Sequence, residues 1–319
     1  MASFKNKFSE TAHHVYHSLK QYRKFSCHYK FIDRSKKSEN LCIVLAGYKP
    51  HLFETVFARL HRYQLSDMDV CIITSGLFSD EIESTCKRYD WSYLSTKENN
   101  VSLVQNVAIR LFANAQFIFK LDEDIFITKD YFANMLRGYA HALETSRYQI
   151  GVLAPLIPIN GFGYVRILEK EGMIPVYEKH FDRVIYCTGP KHMIESNPDT
   201  AKFMWGEPAD DIRFPSIDEL NQKYQSRPLS EIPCPIRFSI GAILFHRDLW
   251  EDMEGFQRHF GTSLGSDEQD LCTYCDIKAR PFFVTENVVV GHLSFGHQNA
   301  QMKEYFETHP ERFQIPVEN

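Results

Sequence analysis

Between residues 41 and 127 the chain alternates between two periodicities, and this alternation limits the possible folds more than any other feature. Residues 41–46 (LCIVLA) form a short, continuously apolar run that ends in Gly47-Tyr48-Lys49-Pro50. Runs of that length and character suit strands covered on both faces. Residues 51–63 then place Leu52, Val56, Leu60 and Tyr63 at helical spacing. Residues 70–74 predict a second strand, and Ser79-Asp80-Glu81-Ile82 opens a helix with an N-cap and early acids. Residues 91–94 predict a short third strand, 101–115 a helix, and 117–127 (FIFKLDEDIFI) another strand. Such repetition implies an α/β fold built on a doubly wound, mostly parallel sheet with helices on both faces. Ligands of these sheets bind beyond the carboxyl ends of the strands. The Gly47-Tyr48-Lys49 turn and the acidic triplet Asp122-Glu123-Asp124 both fall at that edge.

Carboxylates on a buried strand are costly unless a positive group meets them. Side chains of a strand alternate, so Asp122 and Asp124 are expected on one face and Glu123 on the other. Lys120 has the parity of the two aspartates and is expected as their partner. Paired carboxylates at a strand end suit Mg²⁺ or Mn²⁺, which take oxygen ligands and often carry phosphates. A solvated acidic turn is the plain alternative.

With 319 residues, 44% apolar and 24% charged, the chain has the composition of an ordinary soluble globular protein. Its opening, MASFKNKFSE, lacks the apolar core of a signal peptide. No run approaches the roughly 18 to 20 apolar residues that cross a bilayer. A cytoplasmic protein is the expectation. The eight cysteines are scattered, and Cys42 and Cys71 sit in apolar runs, so buried free thiols are expected. Cys272 and Cys275 form a lone C-x-x-C, expected on successive turns of a helix rather than on zinc.

Net charge is −5, but residues 1–40 hold nine Lys or Arg against three acids, which leaves the remainder at −11. Phe4, Phe8, Ala12, Val15, Tyr16, Leu19 and Tyr22 recur at amphipathic-helix spacing. A basic helix of this kind either packs on its own domain or lies on an anionic membrane, here the inner face. No nucleic-acid partner is expected. Four segments follow: the basic helical 1–40, an alternating strand–helix half over 41–159, an irregular insertion over 160–235, and a second half over 236–319. The insertion is rich in Gly, Pro and aromatics. Trp205, Phe162 and Tyr164 within it suit either a sugar platform or a small local core. Regular pattern returns at 238–245, in a helix from Arg247, at 266–275, and in a last strand over 282–290.

In that order the pieces resemble the GT-A fold glycosyltransferases, particularly the inverting family-two type. The first strand ends in LAGYKP, where these enzymes receive the nucleotide. The DED triplet takes the place of their D-x-D motif. SIGAILFHRDLWEDMEGFQRHFGTSLGSDEQDLCTYC is similar to their glycine strand, turn and acidic helix, and VVVGHLSFGH supplies a late histidine. The match covers about 41–127 and 236–298. Three features depart from it: Ile125-Phe126-Ile127 is apolar, Met253-Glu254-Gly255-Phe256 has one glycine, and Asn106 is a loose counterpart of the family's Arg-Asn-x-Gly.

The resemblance implies transfer of a sugar from a nucleotide-diphosphate donor, UDP-type by first choice, to a hydroxyl of a glycan or glycolipid, as in polysaccharide biosynthesis. It assigns Asp124 to a Mn²⁺ or Mg²⁺ ion, Asp122 to the ribose or the metal, and His292 to the metal, with His297 as substitute. Glu268 becomes the base of an inverting reaction, with Asp267 beside it. Ala46, Gly47, Tyr48 and Lys120 line the nucleotide site, Tyr48 by stacking on the base. Two other readings stay open: a nucleotidyltransferase, which would want a more glycine-rich and basic loop than LAGYKPH, and a non-catalytic nucleotide-sugar or glycan-binding protein. An Asp-nucleophile phosphatase is excluded because Phe126 fills the place of its Thr or Val.

Overall fold

A computed structural model of the protein describes residues 24–259 and 266–316. The amphipathic repeat at 4–22, source of the membrane expectation, lies outside the described residues. Within them, nine strands form one sheet: β1 (Tyr29–Ile32), β2 (Asn40–Leu45), β3 (Asp69–Ser75), β4 (Ser92–Thr96), β5 (Phe117–Asp122), β7 (Val152–Leu156), β8 (Glu231–Pro233), β9 (Ala242–His246) and β10 (Phe282–Val289). Two more, β6 (Ile125–Phe126) and β11 (Gly291–His292), make a separate ladder.

The sheet order is β1-β4-β3-β2-β5-β9-β7-β10-β8. β2 pairs in parallel with β3 and β5, β3 with β4, and β7 with β10. β9 runs antiparallel to both β5 and β7, and the edge strands β1 and β8 are antiparallel to their neighbours. β2, β3, β4, β5, β7 and β10 therefore share one direction. The expected α/β class and mostly parallel sheet are what the structure shows.

Local chemistry accounts for the elements. All seven residues of β3 are buried, as expected of a strand covered on both faces. The Asp80–Tyr89 helix starts with Ser79 Oγ accepting the Ile82 N–H at 3.2 Å and ends on Asp90 in the left-handed region. Asn100 caps the Val101–Leu111 helix in the same way, at 2.9 Å from the Leu103 N–H. That helix buries every residue from 102 to 109 and packs against β2, β3 and β4. The Tyr131–Thr145 helix packs on β7, β8 and β10. Arg59 is fully buried. Its guanidinium forks onto Asp218 at 3.0 and 2.7 Å and donates to the carbonyls of Ile127, Phe313 and Gln314. This binds the C-terminal segment and the Ile217–Gln225 helix to the Phe53–Tyr63 helix, which carries Arg59, and to the residue after β6.

Three departures from the sequence expectations matter. Within 1–40, residues Tyr29–Ile32 form an edge strand against β4 rather than helix. The segment 160–235, expected to be irregular, holds five short helices: Gly163–Glu171, Ile174–His180, Met193–Ser196, Pro198–Met204 and Ile217–Gln225. Gly and Pro there start and stop short helices, which removes any long period from the sequence. The run 238–245 enters the sheet only at Ala242, because the backbone of Ile240 is bonded to side chains instead of a neighbouring strand. Among the described residues, all eight cysteines are free thiols, with Cys272 and Cys275 buried on the Ser266–Ile277 helix. No described helix is long and apolar enough to cross a membrane.

Candidate functional site

The run 117–127 is two strands, not one. β5 ends at Asp122, and the chain turns through Glu123-Asp124 before β6. Strand alternation therefore does not carry across the triplet, and its three carboxylates go to three different places.

Asp122 lies opposite Leu45 at the carboxyl end of β2, and its N–H donates to the Gly241 carbonyl at 2.8 Å. Its Oδ1 accepts from Lys120 Nζ at 2.5 Å, the same-face neighbour two residues back. Burial pushes the Asp122 carboxyl up, and Lys120 opposes that rise. Lys120 Nζ also donates to the Ile240 carbonyl at 2.8 Å, while the Ile240 N–H donates to Glu268 Oε2 at 3.2 Å. A single residue's backbone thus joins the end of β5 to the first turn of the Ser266–Ile277 helix.

Glu123 is buried, and its carboxylate accepts the N–H of Gly47 at 2.7 Å and of Tyr48 at 3.0 Å. Burial raises this carboxyl, and the amides of the 47–49 turn draw it back. Gly47 has φ +127°, a conformation a side chain would strain. The turn is therefore pinned from beneath, with its amides already bonded to an acid. Ala46 donates its N–H to the Ile73 carbonyl at 2.9 Å. The Tyr48 ring is 57% exposed, with its hydroxyl anchored on Asn99 Oδ1 at 3.0 Å.

Asp124 Oδ2 accepts from Lys49 Nζ at 2.5 Å and lies 3.2 Å from His292 Nε2. Burial alone would raise this carboxyl, but His292 and Lys49 outweigh it and hold it well below the usual carboxylate range. His292 arrives through the β6–β11 ladder, where it pairs with Ile125. Its Nδ1 is buried without a hydrogen-bond partner. Trp205 supports the ladder from behind, its Nε1 donating to the His292 carbonyl at 3.2 Å. A Cβ at Gly291 would stand 2.2 Å from the Trp205 ring. Trp205, Phe162 and Tyr164 are all buried, so the local-core reading applies to them and the sugar platform does not. His297 is exposed on the 3₁₀ turn Gly296–Gln298.

Glu268 Oε1 accepts from Arg237 Nε at 2.5 Å. Burial pushes its carboxyl up, with Arg237 and the Ile240 N–H pulling the other way. Asp267 turns elsewhere: its Oδ2 accepts from Gln105 Nε2 at 3.1 Å and fastens the Ser266–Ile277 helix to the Val101–Leu111 helix. Asn106, buried and bonded to Trp250 Nε1 and both backbone groups of Phe256, is spent on packing.

The structure thus gathers Ala46, Gly47, Tyr48, Lys120, Asp122, Asp124, His292 and Glu268 at one edge of the sheet. Asp124 and His292 meet, while Asp122 faces Lys120. Among the described residues, no three His, Cys, Asp or Glu side chains are arranged around a metal position. Two donors 3.2 Å apart fit a hard cation that takes its other ligands from a diphosphate, as Mg²⁺ commonly does. Sequence reasoning passed over Glu123 as a loop anchor, Lys49 and Arg237. The signal for Lys49 was its place in the turn after the first strand. Nothing marked Arg237.

Compared by sequence with protein-family models and with curated proteins, the chain matches none. Among solved structures it is similar to the mannosyltransferase PcManGT from Pyrobaculum calidifontis, in complex with GDP-Man and Mn2+. The TM-score is 0.45 and the identity 14%, over 87% of this chain and 64% of that one. It is also similar to S. aureus TarS 1-349 in complex with UDP, with a TM-score of 0.43 and 10% identity, over 79% of this chain and 60% of the other. The chain spans about three fifths of the length of those two chains. Similarity at that level does not extend to what either protein binds.

Proposed function

We propose that the protein is a glycosyltransferase that moves a sugar from a nucleoside-diphosphate donor, UDP-type by first choice, onto a hydroxyl of a glycan or glycolipid with inversion. The observation that carries this reading is the Lys120–Ile240 connection, which sets Glu268 beside Asp122 at the carboxyl edge of the sheet. A donor-side carboxylate and a candidate base are then neighbours although 146 positions apart in sequence. The exposed Tyr48 ring offers a stacking face to the base, Asp122 an acceptor for the ribose, and Ala46 and Gly47 the backbone wall beside them. Asp267 steadies the helix that carries Glu268.

Glu268 takes the proton of the acceptor hydroxyl. The oxygen bonds to the anomeric carbon on the face opposite the diphosphate, whose C–O bond breaks, so the configuration inverts. Arg237 must release Oε1 for this, and its partly exposed side chain leaves it free to do so. A raised carboxyl suits the work, since a base with a higher pKa accepts a proton more readily. A divalent cation, Mn²⁺ or Mg²⁺, would have Asp124 and His292 as protein donors and would neutralise charge on the departing diphosphate.

The pinned 47–49 turn speaks against a nucleotidyltransferase. Such enzymes cradle phosphates on loop amides, and here Glu123 holds those of Gly47 and Tyr48. The test is slow hydrolysis of a panel of nucleotide sugars, followed by release of the free nucleoside diphosphate, with Glu268→Gln alongside. Turnover of one donor class, lost in the variant, supports the reading. Release of inorganic pyrophosphate, or no turnover of any donor, overturns it. Retention in the product anomer would remove Glu268 from the role of base.

A further inference from the structure

The carboxylate of Asp124 carries a lysine ammonium, that of Lys49, on its Oδ2. The Asp124 side chain is 4% exposed and that of His292 8%, whereas Lys49 is 24% exposed. Lys49 is thus the most open of the three, and its ammonium rests directly on Asp124 Oδ2. Lys49 does not lie there by chance of a loose loop: Glu123 fixes the two residues before it by their amides, so its Cα is set and only the side chain can move. The ammonium touches Asp124 Oδ2, the same oxygen that His292 Nε2 approaches, with Asn299 Oδ1 a further 3.5 Å contact.

Resting on the donor reading above, we propose that Lys49 is a diphosphate-binding residue that passes from Asp124 to the donor's phosphate oxygens, freeing Oδ2 only when the nucleotide arrives. The chemistry is an exchange of one anion for another around a single ammonium. In the free protein Asp124 neutralises Lys49. A diphosphate offers more charge and several acceptor oxygens, and it approaches from the side where Lys49 is open. Once the lysine has turned, Oδ2 regains its lone pairs beside His292 Nε2, so a divalent ion gains its protein donors in the same step. Nucleotide and cation should therefore bind together far better than either alone, with Lys49 as the residue that couples them.

The test compares wild type with Lys49→Met and Lys49→Arg in two titrations, after thermal melts confirm that both variants fold. In the first, UDP, GDP and their parent nucleosides are titrated by calorimetry in EDTA. Lys49→Met should lose about tenfold or more in affinity for the preferred nucleoside diphosphate, the worth of a charge-assisted hydrogen bond, and nothing for the nucleoside. Lys49→Arg should recover part of the loss. In the second, Mn²⁺ alone is titrated and followed by electron paramagnetic resonance. Lys49→Met should bind Mn²⁺ more tightly than wild type, because Oδ2 no longer has a resident ammonium. Equal diphosphate affinity in wild type and Lys49→Met, or equal affinity for Mn²⁺ alone, overturns the proposal while leaving the donor reading in place. Failure of wild type to bind either diphosphate, with or without Mn²⁺, sinks the donor reading and the handover with it.

Discussion

His292 Nε2 lies 3.2 Å from Asp124 Oδ2 because the short β6–β11 ladder sets His292 opposite Ile125, the residue that follows Asp124. Two side chains 168 positions apart are thereby fixed by a two-residue register. The ladder in turn leans on Trp205, which packs against Gly291 and bonds to the His292 carbonyl.

Gly291→Ala should disturb this arrangement from behind. Its methyl would meet the Trp205 ring at 2.2 Å, and overpacking of this kind costs about 1–3 kcal/mol. Urea denaturation should show that loss, and Mn²⁺ affinity in the presence of UDP should fall with it. His292→Asn should lower the Mn²⁺ affinity with a smaller change in stability. A Gly291→Ala protein as stable as wild type would contradict the packing described.

Trp205→Ala should act on the fold and not on an acceptor. Removing a buried tryptophan costs roughly 3–5 kcal/mol. Acceptor KM, measured on the folded fraction, should stay within about twofold, since a loss below 0.5 kcal/mol is expected from a residue that touches no sugar. A rise in KM without loss of stability would restore the platform role.

Glu123→Ala should release the 47–49 turn. Two amides lose a buried acceptor, at a cost of about 1–3 kcal/mol. Hydrogen exchange at the Gly47 and Tyr48 amides reports this directly and should accelerate to near the unprotected rate. Glu123→Gln, which keeps one oxygen acceptor, should fall between. Unchanged exchange in the alanine variant would show that the turn holds itself.

Two carboxylates should give stability opposite dependences on pH. Asp124 is held below its unfolded value near 3.9, so its contribution is present above that pH and is lost as pH falls through its folded value. Asp124→Asn should flatten this acid limb. Glu268 is raised above its unfolded value near 4.3, so its contribution is present below that pH and is lost as pH rises through the folded value. Wild type should therefore lose stability relative to Glu268→Gln as pH rises from about 4.3 through the folded value. Melting temperatures of the three proteins, taken below about pH 3.9 for Asp124 and above about pH 4.3 for Glu268, check both signs, and transfer activity should fall on the acid side with the same midpoint as Glu268.

Much of the fold was legible in the sequence because β2, β3 and β5 are buried on both faces and the helices between them carry caps such as Ser79. Apolar runs and N-cap residues are local signals, and they survive in a single sequence. β1 was not legible, since four residues with Lys30 among them carry too little pattern and gain their strand form only by pairing with β4. The site was legible as a set of residues at one edge. Its pairings were not. Treating 117–127 as a single strand put Asp122 and Asp124 on one face, whereas the turn at Glu123-Asp124 sends Asp122 to Lys120 and Asp124 to Lys49 and His292. That turn is set by long-range partners, Leu45 and Leu293, whose backbones bond to Glu123 and Asp124. Arg237 had no signal at all, because its meaning depends on Glu268, 31 positions later.

The measurement that bears most directly on the central claim is thermal stabilisation by a panel of nucleotide sugars with Mn²⁺, in wild type and in Asp124→Asn. One donor class should raise the melting temperature of wild type further with Mn²⁺ than in EDTA, and the variant should lose this Mn²⁺-dependent part, since it keeps the shape of the pocket and loses the charge that meets Lys49 and His292. No shift with any donor, or equal shifts in both proteins, would contradict it.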